Sequence, residues 1–103
     1  MKDSIVRGRL LQLLFDRRNE GPLPFGAEPD AVQPPGGIDI RAWLHALAQL
    51  VEYELVSWKP TADESGRGKM CGLAEITERG VDVCDGREKA DIDIKFVSEP
   101  EWE

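Results

Sequence analysis

Histidine and cysteine are scarce in this chain of 103 residues, which has one histidine and two cysteines. Because His45 is the single histidine, neither a histidine pair nor a histidine-based metal cluster is available. Cys71 and Cys84 lie 13 positions apart, outside any CxxC or Cys/His pattern. This spacing favours neither a zinc site nor a disulfide framework, and we expect both thiols to behave as small apolar residues.

Familiar catalytic combinations are also missing. The sequence has no Ser/His/Asp or Cys/His set and no glycine-rich phosphate loop. Asp91 and Asp93 form an acidic pair on one side of an alternating segment, but nothing opposite them suggests acid/base chemistry, so solvated carboxylates are the preferred interpretation. We therefore expect no enzymatic activity, no metal and no cofactor.

Long apolar runs are absent as well. The most apolar early segment, LLQLLF, is shorter than a membrane span and is followed by Asp16, Arg17 and Arg18. This pattern predicts a chain with no membrane span and no export signal, and hence a cytoplasmic location. A content of 41% hydrophobic residues over this length suits one modest core.

Basic residues are outnumbered, with 13 Lys and Arg against 20 Asp and Glu and a net charge of −7. This balance is opposite in sign to that of most nucleic-acid-binding domains. Residues 1–80 carry 10 basic and 12 acidic residues, whereas residues 81–103 carry 3 and 8. Most of the acidic excess therefore lies in a tail that would repel DNA, compete with it, or only keep the chain soluble.

The first ordered segment predicts a helix from about Ser4 to Arg18, capped by Asp3 or Ser4 and stopped by Gly21. Gly8 weakens this helix but would allow a neighbouring helix to approach closely. The next segment, residues 21–37, has five Pro and four Gly and predicts a loop with one short turn around residues 30–33. The apolar stripe of the first helix is Val6, Leu10, Leu13 and Leu14.

A second long helix is predicted from Asp39 or Ile40 to Tyr53. Its apolar stripe, which we expect to face the core, consists of Leu44, Leu47, Ala48, Val51 and Leu55, widened by Trp43 and Leu50. Its polar strip, spaced so that the side chains share one face, consists of Arg41, His45, Gln49 and Glu52.

A hairpin and a short helix follow. ELVSWK predicts a strand that Pro60 ends, and MCGLAEI predicts a second strand after the polar tip PTADESGRGK. Trp58, in the first strand, is expected either to join the core or to anchor an interface. Thr77 is expected to cap a third helix, ERGVDVCD, which Gly86 would terminate. The predicted fold class is thus α+β, with two long helices, a β-hairpin and a short third helix.

The hairpin and the helix after it resemble the wing of winged helix-turn-helix proteins. In that superfamily the second wing strand commonly leads into an ITxxG helix start, which Ile76, Thr77 and Gly80 match here. The resemblance covers about residues 38–86, and the small size is also similar to winged-helix proteins of phages and prophages. It implies a winged-helix-like domain over residues 1–86 and a DNA-binding protein that regulates transcription.

The same resemblance implies a DNA-binding surface. The second helix would stand where a recognition helix stands, so Arg41, His45 and Gln49 would face the major groove. Arg67 and Lys69, at the hairpin tip, would contact phosphates. The plainer interpretation is an ordinary solvated helix face and a polar hairpin tip, because Glu52 and the acidic residues of the tip oppose phosphate.

One departure from the family pattern supports an alternative function. The short helix and tight turn that precede a recognition helix are replaced here by AEPDAVQPPGG. The alternative is a protein–protein interaction or dimerisation module with no DNA binding.

Residues 87–103 are predicted to form an acidic C-terminal extension with a strand at 91–97. DIDIKFV alternates apolar and charged residues, as an edge strand does. We expect this strand to pair with GIDI of its own chain or with a partner chain. A homodimer formed through this strand or through the helices is therefore a second predicted partnership, beside duplex DNA.

Overall fold

Three helices and three strands make up the computed structural model, which describes residues 2–26, 31–61 and 71–96. The predicted α+β class and the predicted order of the two long helices, the hairpin and the short third helix are confirmed. In chain order the elements are helix α1 (Asp3–Asp16), strand β1 (Leu23–Gly26), helix α2 (Ile40–Glu52), strands β2 (Val56–Pro60) and β3 (Cys71–Ile76), and helix α3 (Glu78–Cys84).

Helix α1 forms where its apolar spacing predicts, but both ends differ from the prediction. Lys2 occupies the N-cap position and its side chain makes no capping hydrogen bond, so the predicted cap at Asp3 or Ser4 is wrong. The α-helix ends at Asp16, and a 3-10 turn over Arg18–Glu20 leads to Gly21, whose φ of 85° only glycine adopts readily. The α-helix therefore ends two residues before its predicted end at Arg18.

The sheet is antiparallel, with strand order β1-β3-β2. Strand β3 lies in the middle, and Ala74 is opposite both Leu23 of β1 and Trp58 of β2. The predicted hairpin strands are confirmed. The hairpin tip, residues 62–70, lies outside the described residues.

Strand β1 corrects the prediction that residues 21–37 form only a loop. Leu23 and Phe25 are buried, whereas Pro24 and Gly26 are partly exposed, so this short strand alternates as a sheet edge does. Pro24 is tolerated because an edge strand has ladder bonds on one side only. Residues 23–26 form a strand because they pair with the free edge of β3. The local content of proline and glycine gives no indication of this distant partner.

The core lies between the sheet and the two long helices. Phe25 and Trp43 meet at its centre, with ring centroids 6.3 Å apart. Helix α2 is rotated relative to the predicted stripe, because Ala46 is buried, Ala48 is exposed and Leu44 is only partly buried. The most buried large side chains are Trp43, Phe25, Leu10, Leu11, Leu14, Leu47, Leu50, Leu55, Val6 and Val56.

Residues 91–96 form no strand with the described part of this chain, so the predicted pairing with GIDI is wrong; residue 97 lies outside the described part, and pairing with a partner chain stays a prediction. Instead, the Lys95 backbone N–H donates to the Ser4 carbonyl at 3.0 Å. A Cβ at Gly8 would collide with the Lys95 carbonyl, so the close neighbour of Gly8 is this segment and not another helix. The apolar alternation is explained by Ile94, which packs at the edge of the core while the chain lies along α1.

Candidate functional site

Asp39 caps the start of α2, the helix that carries the predicted polar strip. The Asp39 side chain accepts a hydrogen bond from the Arg41 backbone N–H at 3.0 Å. Arg41, His45 and Glu52 are all exposed on the side of α2 that faces away from the core. Within the described residues, Arg41 forms no ion pair, so its guanidinium is available to a partner.

Gln49, predicted as a third DNA-contacting residue, has a different environment. It is half-buried, and its Oε1 accepts a hydrogen bond from Arg7 Nη1 at 2.7 Å. Its amide oxygen is therefore already used inside the protein. The structure groups Arg41 with His45 on an exposed face, but it ties Gln49 to α1. Arg67 and Lys69 lie outside the described residues.

Arg7 is a residue that sequence reasoning missed. Only 7% of it is exposed, and its Nε donates to the Asp93 carbonyl at 2.8 Å. Both acceptors of its hydrogen bonds, the amide of Gln49 and a backbone carbonyl, are uncharged. The arginine thus joins α1, α2 and the C-terminal segment. Its spacing to Leu10, Leu11 and Leu14, at i+3, i+4 and i+7, was the sequence feature that could have indicated burial.

The ITxxG motif has a structural role here. Thr77 Oγ1 accepts from the Gly80 N–H at 3.0 Å and donates to the Glu54 carbonyl at 2.8 Å, while the Thr77 N–H donates to the Leu55 carbonyl at 3.0 Å. Gly80 packs directly against the Leu55 carbonyl, and a Cβ there would come within 2.7 Å of Ile76 Cγ1. The motif therefore holds α3 against the turn that follows α2.

Arg79 is the centre of a charged cluster on α3. Its Nε lies 2.6 Å from Glu88 and its Nη2 lies 3.2 Å from Asp91, with Glu54 at 4.0 Å. The hydrogen bond to Glu88 is the main reason that the pKa of Arg79 is raised above its ordinary value. One arginine of α3 thus forms ion pairs with two acidic residues of the extension and holds them close to the helix.

Cys84 is half-buried, and burial is the main reason that its pKa is raised to about 12, with Asp85 and Asp16 adding to the shift. The thiol therefore stays protonated at neutral pH, in agreement with the predicted packing role. The side chain of Cys71 lies outside the described residues.

An apolar strip lies beside the polar face of α2 on its outer side. Ile40 is 44% exposed, Ala48 is exposed, and Leu44 and Val51 are partly buried. We call these four residues the α2 flank. At spacings of i, i+4, i+8 and i+11 they share one side of the helix.

A groove of about 420 Å³ runs along α1, and it offers no catalytic set. Over residues 2–26, 31–61 and 71–96, no group of three or more His, Cys, Asp or Glu side chains could hold a metal ion. Nor is any helix in these ranges both long and apolar enough to cross a bilayer. The groove is lined by Gly8, Arg9, Gln12, Leu13, Asp16, Arg17 and Pro35.

Neither a protein-family model, nor a curated protein, nor a solved structure matches this chain.

Proposed function

We propose that this chain is a winged-helix-type DNA-binding protein that contacts duplex DNA with the outer face of α2 and acts in transcriptional regulation. The observation that carries the proposal is the exposed pair Arg41 and His45 on a helix whose opposite side is packed in the core. A hairpin follows α2 after a short turn, and the sheet order β1-β3-β2 is compatible with a winged-helix domain.

The chemistry of these side chains suits the role. Arginine can bond guanine edges bidentately in the major groove, and it also neutralises phosphates. Asp39 caps the first turn of α2, so Arg41 projects from a fixed helix start and not from a mobile loop. Arg67 and Lys69 at the hairpin tip remain predicted phosphate contacts.

The acidic balance predicts the strength of the complex. A net charge of −7 opposes association with a polyanion, and Glu52 lies on the same face as Arg41. The predicted phosphate contacts are few, so binding should be weak and should depend only shallowly on salt, because the salt slope grows with the number of phosphates contacted. The proposal therefore has to be tested at low ionic strength.

The test is fluorescence anisotropy with a random duplex of about 30 base pairs in about 20 mM salt, repeated at rising salt. A random duplex reports contacts that do not depend on sequence, so the Arg41→Ala variant should weaken binding and lower the salt slope by about 1, as expected for the loss of one phosphate contact. Arg87→Ala is the matched control, because Arg87 is exposed at the end of α3 beside Asp82 and Asp85.

The two variants decide the outcome together. Loss of binding in Arg41→Ala with retention in Arg87→Ala supports the proposal. No binding of the unmodified protein at the lowest salt, or equal losses in both variants, would refute it.

A further inference from the structure

We propose that the α2 flank is a self-association surface, on which a second copy of this chain packs its own α2 flank in an antiparallel orientation. This inference does not rest on the proposed DNA binding, because it is tested by mass; the two proposals share Arg41, for which duplex and the second copy would compete. It names the partner as an identical chain.

The first step is the exposure of the flank. Among the described residues, Ile40 and Phe96 are the exposed large hydrophobic side chains. Ile40 does not stand alone, since Leu44, Ala48 and Val51 continue the same side of α2 for about 16 Å along the helix axis. The opposite side of α2 is already covered by α1 and the sheet, so the flank and the polar strip beside it are the sides left for another molecule.

Two residues of opposite charge lie beside the flank. Arg41 and Glu52 border the flank on its solvent side, near opposite ends of α2. Neither forms an ion pair within the described part of the chain. Eleven residues separate them, which brings both to the same side of a helix at about 3.6 residues per turn.

Two copies of the flank can pair about a two-fold axis. A two-fold axis perpendicular to α2 near residue 46 would place Arg41 of each copy opposite Glu52 of the other. The same operation would set Ile40 against Val51 and Leu44 against Ala48, a large side chain against a smaller one in both cases. A two-fold interface has to be self-complementary, and the flank meets this requirement in both charge and size.

These features favour an identical partner over an unrelated one. The opposite charges lie at mirrored positions about the centre of the flank, and the apolar pairs share that centre. An acidic or basic partner would match one end of α2 and be repelled by the other.

Sedimentation equilibrium between about 10 and 500 µM tests the proposal, because a surface of one helix face lies at the small end of stable interfaces. The unmodified protein should fit a monomer–dimer equilibrium. Ile40→Arg should weaken the dimer by at least about tenfold, since it places two charges at the contact. Phe96→Arg is the matched control, because Phe96 is similarly exposed, at 37%, but lies far along the chain in the C-terminal segment.

Charge exchange tests the antiparallel pairing. Arg41→Glu and Glu52→Arg should each weaken the dimer, because each sets like charges against each other twice. The double variant R41E/E52R should restore the unmodified dissociation constant to within about threefold. All of these side chains are exposed, so circular dichroism should show unchanged folding.

Three results would overturn the inference: a monomer at the highest concentration, a dimer that Phe96→Arg disrupts and Ile40→Arg does not, or a double variant that stays monomeric. Failure of the proposed function is distinguishable from these. R41E/E52R should dimerise without recovering duplex binding. Duplex binding by a protein that stays monomeric at the highest concentration refutes the self-association alone. Absence of duplex binding below the dissociation constant of the dimer, where Arg41 is not paired, refutes the DNA proposal alone.

Discussion

Replacing Gly8 by Ala should destabilise the protein, although helix propensity predicts the opposite. Gly8 lies in the middle of α1, where alanine is favoured over glycine by about 0.8–1.0 kcal/mol. However, a Cβ at this position would collide with the Lys95 carbonyl oxygen and would lie 2.7 Å from the Lys95 carbonyl carbon and 3.2 Å from the Phe96 nitrogen. These are backbone atoms, so the C-terminal segment has to move away from α1.

The size of the destabilisation depends on two hydrogen bonds that break when the C-terminal segment moves away from α1. The hydrogen bond from Lys95 N–H to the Ser4 carbonyl contributes about 1 kcal/mol, and the bond from the buried Arg7 guanidinium to the Asp93 carbonyl contributes about 1.5–3 kcal/mol. Subtracting the gain in helix propensity leaves a net loss of about 1.5–3 kcal/mol in the free energy of unfolding.

Urea denaturation measures this change, and hydrogen exchange at the Lys95 amide reports whether the segment has separated from α1. Gly36→Ala is the control, because nothing lies within 4 Å of a Cβ there, and its effect should stay within about 0.5 kcal/mol. If Gly8→Ala raised the stability by about 1 kcal/mol and left the Lys95 amide protected, the docking of residues 91–96 on α1 would be refuted.

Three further predictions concern buried or capping groups. Arg7→Met should lower the free energy of unfolding by about 2–3 kcal/mol in urea denaturation. Gln49→Met should cost much less in the Arg7→Met background than in the unmodified protein, because Gln49 has already lost its hydrogen-bond donor Arg7. Thr77→Ala should cost about 1–2 kcal/mol through loss of the α3 cap, whereas Thr77→Ser should retain most of the stability; equal losses would contradict the capping role. In a Cys71→Ser background, alkylation of Cys84 at pH 8.5 should be more than about 100-fold slower in the folded than in the urea-unfolded chain, because the pKa of about 12 leaves little thiolate.

The raised pKa of Cys84 also makes the stability of the protein depend on pH. The pKa of Cys84 is raised in the folded state, so the unfolded chain loses the thiol proton first as pH rises above about 8.5. The unfolded state then binds fewer protons than the folded state, and the contribution of this thiol to stability falls between that pH and about 12.

Periodicity predicted α2 and α3 well, because their start signals are local. Asp39 and Thr77 each cap a helix with their own side chain, and both bonds span two or three residues. A residue pattern can report such contacts without knowledge of the rest of the fold. Helix α1 lacks a side-chain cap, and its predicted start was wrong for that reason.

The candidate site was predictable only in part. Arg41 and His45 are exposed as the spacing of the polar strip indicates, but Gln49 on the same strip bonds to Arg7, 42 positions away. Which side of an amphipathic helix is buried depends on the shape of the surface that it packs against. The strip of α2 that the pattern assigned to the core, around Leu44 and Ala48, lies instead at its outer margin.

What the sequence determined by itself was therefore the set of contacts between near neighbours: the helical stretches, the cap at Thr77, the hairpin strands and the fold class that these elements imply. Tertiary structure alone decided that Leu23–Gly26 becomes a sheet edge, that residues 91–96 lie along α1, and that Arg7 is buried. The physical reason is that each of these depends on a partner far away in the chain. The free edge of β3, the surface of α1 at Gly8 and the hydrogen-bond acceptors of Arg7 are in place only after the other elements have assembled.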